Sequence, residues 1–219
     1  MTNITNNIIE NRKRILSPSL SLSYNKPLHI VKGRRQYLYD VNGNEFLDAT
    51  NNIQHVGHCH PKVIETTLKQ LKRLNTNTRY LDKTILDYAS LLMQKMPNEL
   101  NKVFFTNSGS ESNDLALRLA RNYLQNNETI VLDGAYHGHL ISLIEVSPYK
   151  YKGPGGFKPP KNVHALPIPD PFRGKYRGKD SGGKYAEEMN TILKKIKVSP
   201  TFLSESIMGC GGQLIPPEG

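Results

Sequence analysis

The sequence predicts an α/β protein built on a mostly parallel sheet. Short apolar runs at 103–106, 129–132 and 202–207 read as buried strands, and segments with helical spacing alternate with them. Parallel neighbours need long, usually helical, crossovers, so such a sheet is expected to be covered on both faces.

Ahead of that pattern, residues 29–50 read as a β-hairpin. Runs 36–41 and 45–49 flank Asn42-Gly43, a dipeptide that tolerates the positive φ required at both central positions of a type I′ turn. After a short Gly/His loop, Pro61 suits the first turn of a helix, where its missing N–H costs nothing. Val63, Ile64, Leu68, Leu71 and Leu74 recur at helical spacing and predict one buried face. Asp82 is a good N-cap for a second helix that runs to Met96, before Pro97. The run 103–106 leads through Asn107-Ser108-Gly109-Ser110 into a helix carrying Leu115, Leu119 and Ala120. Beyond strand 129–132 come a turn, a helix near 139–146, a Gly/Pro-rich stretch, a helix at about 184–197 and the third strand.

A chain of 219 residues suffices for one large domain or two small ones. No stretch of about 18 apolar residues suggests a membrane span, and the first twenty residues lack the apolar core of a secretory signal. Arg12, Lys13 and Arg14 faintly resemble a mitochondrial presequence, against which stand Glu10 and the clustered Asn residues. An intracellular protein of the cytoplasm or the mitochondrial matrix is expected. Cys59 and Cys210 show no repeated spacing, so no disulfide framework is expected. The formal charge of +10 raises nucleic acid as a partner. Much of the excess lies between Lys150 and Lys184, opposed there only by Asp170 and Asp180, and no nucleic-acid-binding motif accompanies it. A solvated basic loop and an attractor for a phosphorylated small molecule are the two readings.

Four places could carry chemistry. The turn Asn107-Ser108-Gly109-Ser110-Glu111 follows a strand and opens a helix, whose first amides lack partners and sit at the positive end of its dipole. It could seat a phosphate, or it could be only a capping box between Ser108 and Glu111. It is neither a Walker loop nor a dinucleotide fingerprint. Asp133-Gly134-Ala135-Tyr136-His137-Gly138-His139 lies past the next strand, where open parallel sheets gather ligands. Tyr136 there could stack on a flat ring with His137 beside it, or Tyr136 could be a core residue. His55, His58, Cys59 and His60 invite a zinc reading, but no second ligand pair appears and no metal is expected. Glu205, on the third strand, needs a buried partner or a task, and Cys210 reads as a small packing residue.

Together and in this order these segments resemble the class III aminotransferases, pyridoxal-phosphate enzymes of fold type I. The resemblance runs from about residue 20 onward and includes Leu47-Asp48, Gly57-His58-Cys59-His60-Pro61, the 107–111 turn, Ala135-Tyr136-His137-Gly138 and the Glu205 strand. It is closer to the branch of ethanolamine-phosphate and 5-phosphohydroxylysine phospho-lyases. Residues 74–80, 107–121, Ser147-Pro148-Tyr149-Lys150, 173–177 and Cys210-Gly211-Gly212-Gln213 carry that likeness.

The resemblance implies pyridoxal 5′-phosphate as cofactor, with Ser108, Gly109 and Ser110 at its phosphate, Tyr136 on its ring, and His137 and Glu205 nearby. It implies an N-terminal small-domain segment at 1–60 and the first, incomplete part of the cofactor-binding α/β domain at 61–219. A homodimer acting on a small phosphorylated amine is implied, with neither nucleic acid nor membrane as partner. Phosphate elimination would give an aldehyde and ammonia. The transaminase pattern carries a second glutamate five positions after Glu205, where this chain has Cys210, a departure that suits a lyase. The family's Schiff-base lysine matches no lysine here and is expected beyond Gly219. No catalytic residue is therefore assigned within the chain, which is expected to be inactive alone. A transaminase of an ω-amine and a non-catalytic basic binding module are the alternatives.

Overall fold

The computed structural model describes residues 3–50 and 55–218. It divides into two compact units, Met1–Ile85 and Leu86–Gly219.

The first unit begins with α1 (Asn3–Ile15), in the stretch that resembles a presequence. Arg12, Lys13 and Arg14 fall in its last turn, where cations complement the negative end of the helix dipole. Three strands follow, β1 (Ile30–Arg34), β2 (Tyr37–Asp40) and β3 (Glu45–Leu47), forming an antiparallel sheet in that order. The sequence pattern shows only the β2–β3 hairpin. β1 escapes it because Lys32, Gly33 and Arg34 break the apolar alternation.

The β2–β3 turn is not type I′. Gly43 has φ +84, but Asn42 is not among the residues with positive φ. The Asp40 carboxylate sets the geometry instead, with Oδ1 accepting from the amides of Asn42 and Asn44 at 2.9 Å each. The Asp40 carbonyl takes the Gly43 amide at 3.0 Å. This is a longer turn stapled by an Asx interaction.

Helix α2 (Pro61–Arg73) starts at its proline as expected, yet it has no buried residue. Val63, Ile64, Leu68, Leu71 and Leu74 are all exposed, which corrects the expectation of a buried face. Amphipathic spacing states which face can be buried, but burial also needs a covering surface, and none among the described residues supplies it. Helix α3 (Lys83–Met93) begins beside Asp82, whose Oδ1 accepts from the Thr84 amide, and likewise has no buried residue.

In the second unit α4 (Gly109–Leu124) precedes a parallel sheet of β4 (Thr129–Leu132), β5 (Val163–Leu166) and β6 (Thr201–Leu203), in the order β5-β4-β6. Between β4 and β5 lie the one-turn helices α5 (Ile141–Ile144) and α6 (Pro148–Tyr151); α7 (Gly182–Ile196) joins β5 to β6. Adjacent strand residues point to opposite faces. Ile130 and Val131 are both fully buried, so both faces of β4 are covered. The core packs Leu117 of α4, Val131, Leu143 of α5, Val146 and Val163 together, with Leu203 against them.

Three expectations are corrected here. Residues 103–106 form no strand, and Phe104 and Phe105 are exposed. An apolar run becomes a strand only where a neighbour completes its ladder, and no described strand lies beside it. The third strand stops at Leu203, so Glu205 sits two residues past it. The Gly/Pro-rich basic stretch is not simply solvated loop. It contains β5, and Tyr185 Oη is wedged against Asp170 O (3.1 Å) and Tyr176 O (3.0 Å), while Lys175 is paired with Glu188 at 2.5 Å. No helix among the described residues is long and apolar enough to cross a membrane.

Candidate functional site

Three loops meet at the carboxyl edge of the parallel sheet, where such folds gather ligands. The first opens α4. Ser108 is its N-cap, extended at φ −155 and ψ 159, and its Oγ accepts from the Glu111 amide at 3.1 Å. The Glu111 carboxylate returns to the Asn107 amide at 2.7 Å. The capping-box reading is therefore realised, one residue wider than the usual form. It consumes the amides of Asn107 and Glu111 but not those of Gly109 and Ser110, which donate to no acceptor among the described residues. A Cβ built on Gly109 would meet nothing within 4 Å. The α4 terminus thus keeps two amides without an acceptor among the described residues at the positive end of its dipole, with open space beside Gly109.

The second loop follows β4. The Asp133 amide donates to Leu166 O of β5 at 2.8 Å, and Gly134 turns the chain at φ +73. Ala135, His137 and Gly138 are buried, while Tyr136 is half-buried. The His137 amide donates to Ser147 Oγ at 2.9 Å, and that hydroxyl donates to Leu143 O at 2.6 Å. Burial holds the His137 imidazole below the usual histidine value, partly offset by the Glu205 charge. Its Nε2 is buried without a partner among the described residues.

Direct contacts bind the second loop to the first. Ser110 Oγ accepts from the His139 amide at 3.0 Å, and Asn113 Nδ2 of α4 donates to His137 O at 2.7 Å. Gly138 makes this approach possible. It adopts φ +148, and a Cβ there would lie 2.5 Å from Leu143 Cδ1 and 3.0 Å from Ser110 Cα.

The third loop follows β6. Glu205 Oε1 accepts from the Tyr136 amide at 2.9 Å, and Oε2 accepts from the Cys210 amide at 3.4 Å. The partner that a half-buried carboxylate needs is thus the backbone of the neighbouring loop. Burial raises the Cys210 thiol above its usual value, with Glu205 adding to the rise and Lys150 opposing it. Ser108, Gly109, Ser110, Tyr136, His137 and Glu205 therefore share one hydrogen-bonded neighbourhood.

Ser147, Asn113 and Lys150 belong to the same place; they lie in segments that carry the phospho-lyase likeness, but no role was assigned to them from the sequence. Ser147 and Asn113 act through partners 10 and 24 residues away in sequence. The cluster at His55–His60 plays a different part. His58 Nε2 is bound to Asp48 Oδ2 at 2.7 Å, and its backbone bridges to Arg35. Among the described residues no group of three or more His, Cys, Asp or Glu could hold a metal ion. Cys59 and Cys210 are free thiols.

Comparisons with known proteins bear on this site. A family model described as Aminotransferase class-III matches residues 21–219. A Drosophila melanogaster protein named alanine--glyoxylate aminotransferase 2-like is 44% identical over 96% of this chain and 45% of its own length. A Caenorhabditis elegans protein named ethanolamine-phosphate phospho-lyase homolog 1 is 39% identical over 96% of this chain and 48% of its own. The structure also superposes on a phospholyase from Arthrobacter in complex with phosphoethanolamine, with a TM-score of 0.84 and 31% identity over 97% of this chain and 51% of that one. The chain spans about half the length of the curated relatives it matches.

Proposed function

The chain belongs to the class III aminotransferase family, with the fold of the type I pyridoxal-phosphate enzymes, and on that premise we propose that its three converging loops hold pyridoxal 5′-phosphate in an enzyme that eliminates phosphate from a phosphorylated amino alcohol. One observation carries the reading: the His139 amide on Ser110 Oγ brings an anion-ready helix terminus and the Tyr136 loop to a single place.

The residues present fit the cofactor. The free amides of Gly109 and Ser110, with open space beside Gly109, suit a phosphate. Tyr136, half-buried beside them, offers an aromatic face for a pyridine ring. His137 stays neutral because it is buried, so it adds shape and packing there rather than charge. Glu205 fixes the Tyr136 backbone while bringing negative charge to the ring's neighbourhood. When bound, pyridoxal phosphate supplies an electron sink that lets a proton leave the carbon next to the substrate nitrogen. This reading assigns no Schiff-base lysine to the 219 residues, so the chain alone is expected not to turn over, and a homodimer is proposed for the whole enzyme.

The phospho-lyase branch is favoured over transamination by the C. elegans and Arthrobacter relatives and by Cys210, which stands where the transaminase pattern has a carboxylate. The name of the Drosophila relative favours the alternative, a transaminase. Incubating the full-length holoenzyme with phosphoethanolamine and no keto acid separates the two. Equal amounts of inorganic phosphate, acetaldehyde and ammonia support elimination. Amine consumption that requires a keto-acid acceptor and releases no phosphate refutes it.

A further inference from the structure

Lys150 stands out among the cations of the basic stretch. Its ammonium lies 5.5 Å from the centroid of the Tyr136 ring and 5.5 Å from that of Tyr149. The two rings meet edge to face at 6.1 Å. Lys150 is half-buried, yet no carboxylate among the described residues pairs with it. Its neighbour Lys152, by contrast, is held by Asp133 at 2.7 Å. A partly desolvated ammonium set against two ring faces, with no ion pair among the described residues, is a poised cation.

Its direction is fixed by its surroundings. Lys150 lies on α6, flanked by the buried Ser147, Pro148 and Tyr151. The Tyr149 amide donates to Ala135 O at 3.1 Å, which ties α6 to the loop bearing Tyr136. Lys150, Tyr149, Asp133 and Pro154 line a cavity of about 470 Å³. Cys210 is tied to the same loop, since its amide donates to Glu205 Oε2 at 3.4 Å while Glu205 Oε1 holds the amide of Tyr136, the residue whose ring Lys150 covers. A carboxylate at Cys210 would bring a negative charge into this lysine's neighbourhood. A thiol brings none.

We propose that Lys150 is the residue that selects a phosphorylated substrate, its ammonium receiving the substrate phosphate, and that Cys210 keeps this ammonium available by not being a carboxylate. The proposal rests on the phospho-lyase reading and deepens it. In the elimination a proton leaves the carbon beside the nitrogen, the bond from the neighbouring carbon to the phosphate oxygen breaks, and its electron pair departs with inorganic phosphate. The enamine left on the two carbons takes up one water to give aldehyde and ammonia, so the sum consumes one water and needs no oxidant. Lys150 offsets the charge that gathers on the departing oxygens.

The test compares the full-length holoenzyme with Lys150→Met, Lys150→Arg and Cys210→Glu, reading inhibition by inorganic phosphate, KM for phosphoethanolamine, and the binding of unphosphorylated ethanolamine. Lys150→Met is expected to weaken phosphate inhibition and raise KM by about 10- to 100-fold, the scale of one charge-assisted contact. Ethanolamine binding should not change, and Lys150→Arg should restore most of the loss. Cys210→Glu should weaken phosphate binding while Lys150 is present and add little on top of Lys150→Met. If Lys150→Met does not fold, Cys210→Glu still decides, because it leaves the lysine in place. Unchanged phosphate inhibition in Lys150→Met or in Cys210→Glu overturns the proposal while leaving the phospho-lyase reading intact. A wild-type enzyme that releases no phosphate from phosphoethanolamine overturns both.

Discussion

Replacing Gly138 by alanine should be far more damaging than replacing Gly109 by alanine, although the two glycines lie on either side of the same contact. At Gly138 the new methyl would sit 2.5 Å from Leu143 Cδ1, 2.9 Å from Ser110 Oγ and 3.0 Å from Ser110 Cα. Leu143 is fully buried and Ser110 Cα is backbone, so neither can step aside cheaply. The φ of +148 adds a backbone cost. A residue held in such a region costs about 1–3 kcal/mol, and overpacking a filled site costs about 1–3 kcal/mol more. The expected loss is therefore roughly 2–6 kcal/mol, against a total stability of about 5–15 kcal/mol for a typical domain.

At Gly109 a methyl meets nothing, and the position lies in the first turn of α4, where alanine lowers the entropy of the unfolded chain. Stability there should hold or rise by about 0.4–1 kcal/mol, while affinity for pyridoxal phosphate should fall if the proposed phosphate occupies the open space beside Gly109. Urea unfolding of both variants, with the purified chain and with added cofactor, gives the comparison. A Gly138→Ala midpoint indistinguishable from wild type would mean that the two loops do not meet as described, and the site built on their meeting would fall with it.

Two further outcomes follow from the same geometry. Ser108→Ala removes the cap on the Glu111 amide and should cost about 0.5–2 kcal/mol in urea unfolding, whereas Ser108→Gly should cost only a few tenths; equal losses would argue against the cap. The His137 imidazole, held below its usual value by burial, binds a proton less readily folded than unfolded. Its stabilising contribution is therefore complete above about pH 6.5 and is lost as the pH falls below that value toward the lowered folded one. Unfolding midpoints measured between about pH 7.5 and 5 should decline less steeply in His137→Phe than in wild type, and identical slopes would remove His137 from the acid response.

What could be read in advance follows from the range of each interaction. Strand 129–132 was legible because a strand covered on both faces is a continuous apolar run. The Ser108–Glu111 cap was legible because both partners lie within four residues of each other. Residues 103–106 carry the same apolar signature as β4 but form no strand, since pairing depends on a neighbour that local sequence does not encode. β5 was hidden by the Gly and Pro residues around it and by His164 in its middle. Site residues on turns next to elements could be named, but the bond joining Glu205 to Tyr136 spans 69 positions, and no local pattern reports it. Lys150 was named in sequence only as one of the basic residues and as part of the 147–150 likeness; the rings around it, which single it out, could not be read there.

The span of the Glu205–Tyr136 bond also sets an order of events during synthesis. The α4 cap can close as soon as residue 111 is made, but Tyr136 waits for a carboxylate translated 69 residues after it, just past β6, which must first dock beside β4. The loop bearing Tyr136 is thus held only after residue 205 is made, and a nascent chain stalled short of that residue would carry the α4 cap without the Glu205 bond to Tyr136. If the proposed cofactor rests on that loop, its absorbance would time the docking of β6 rather than the first collapse of the chain.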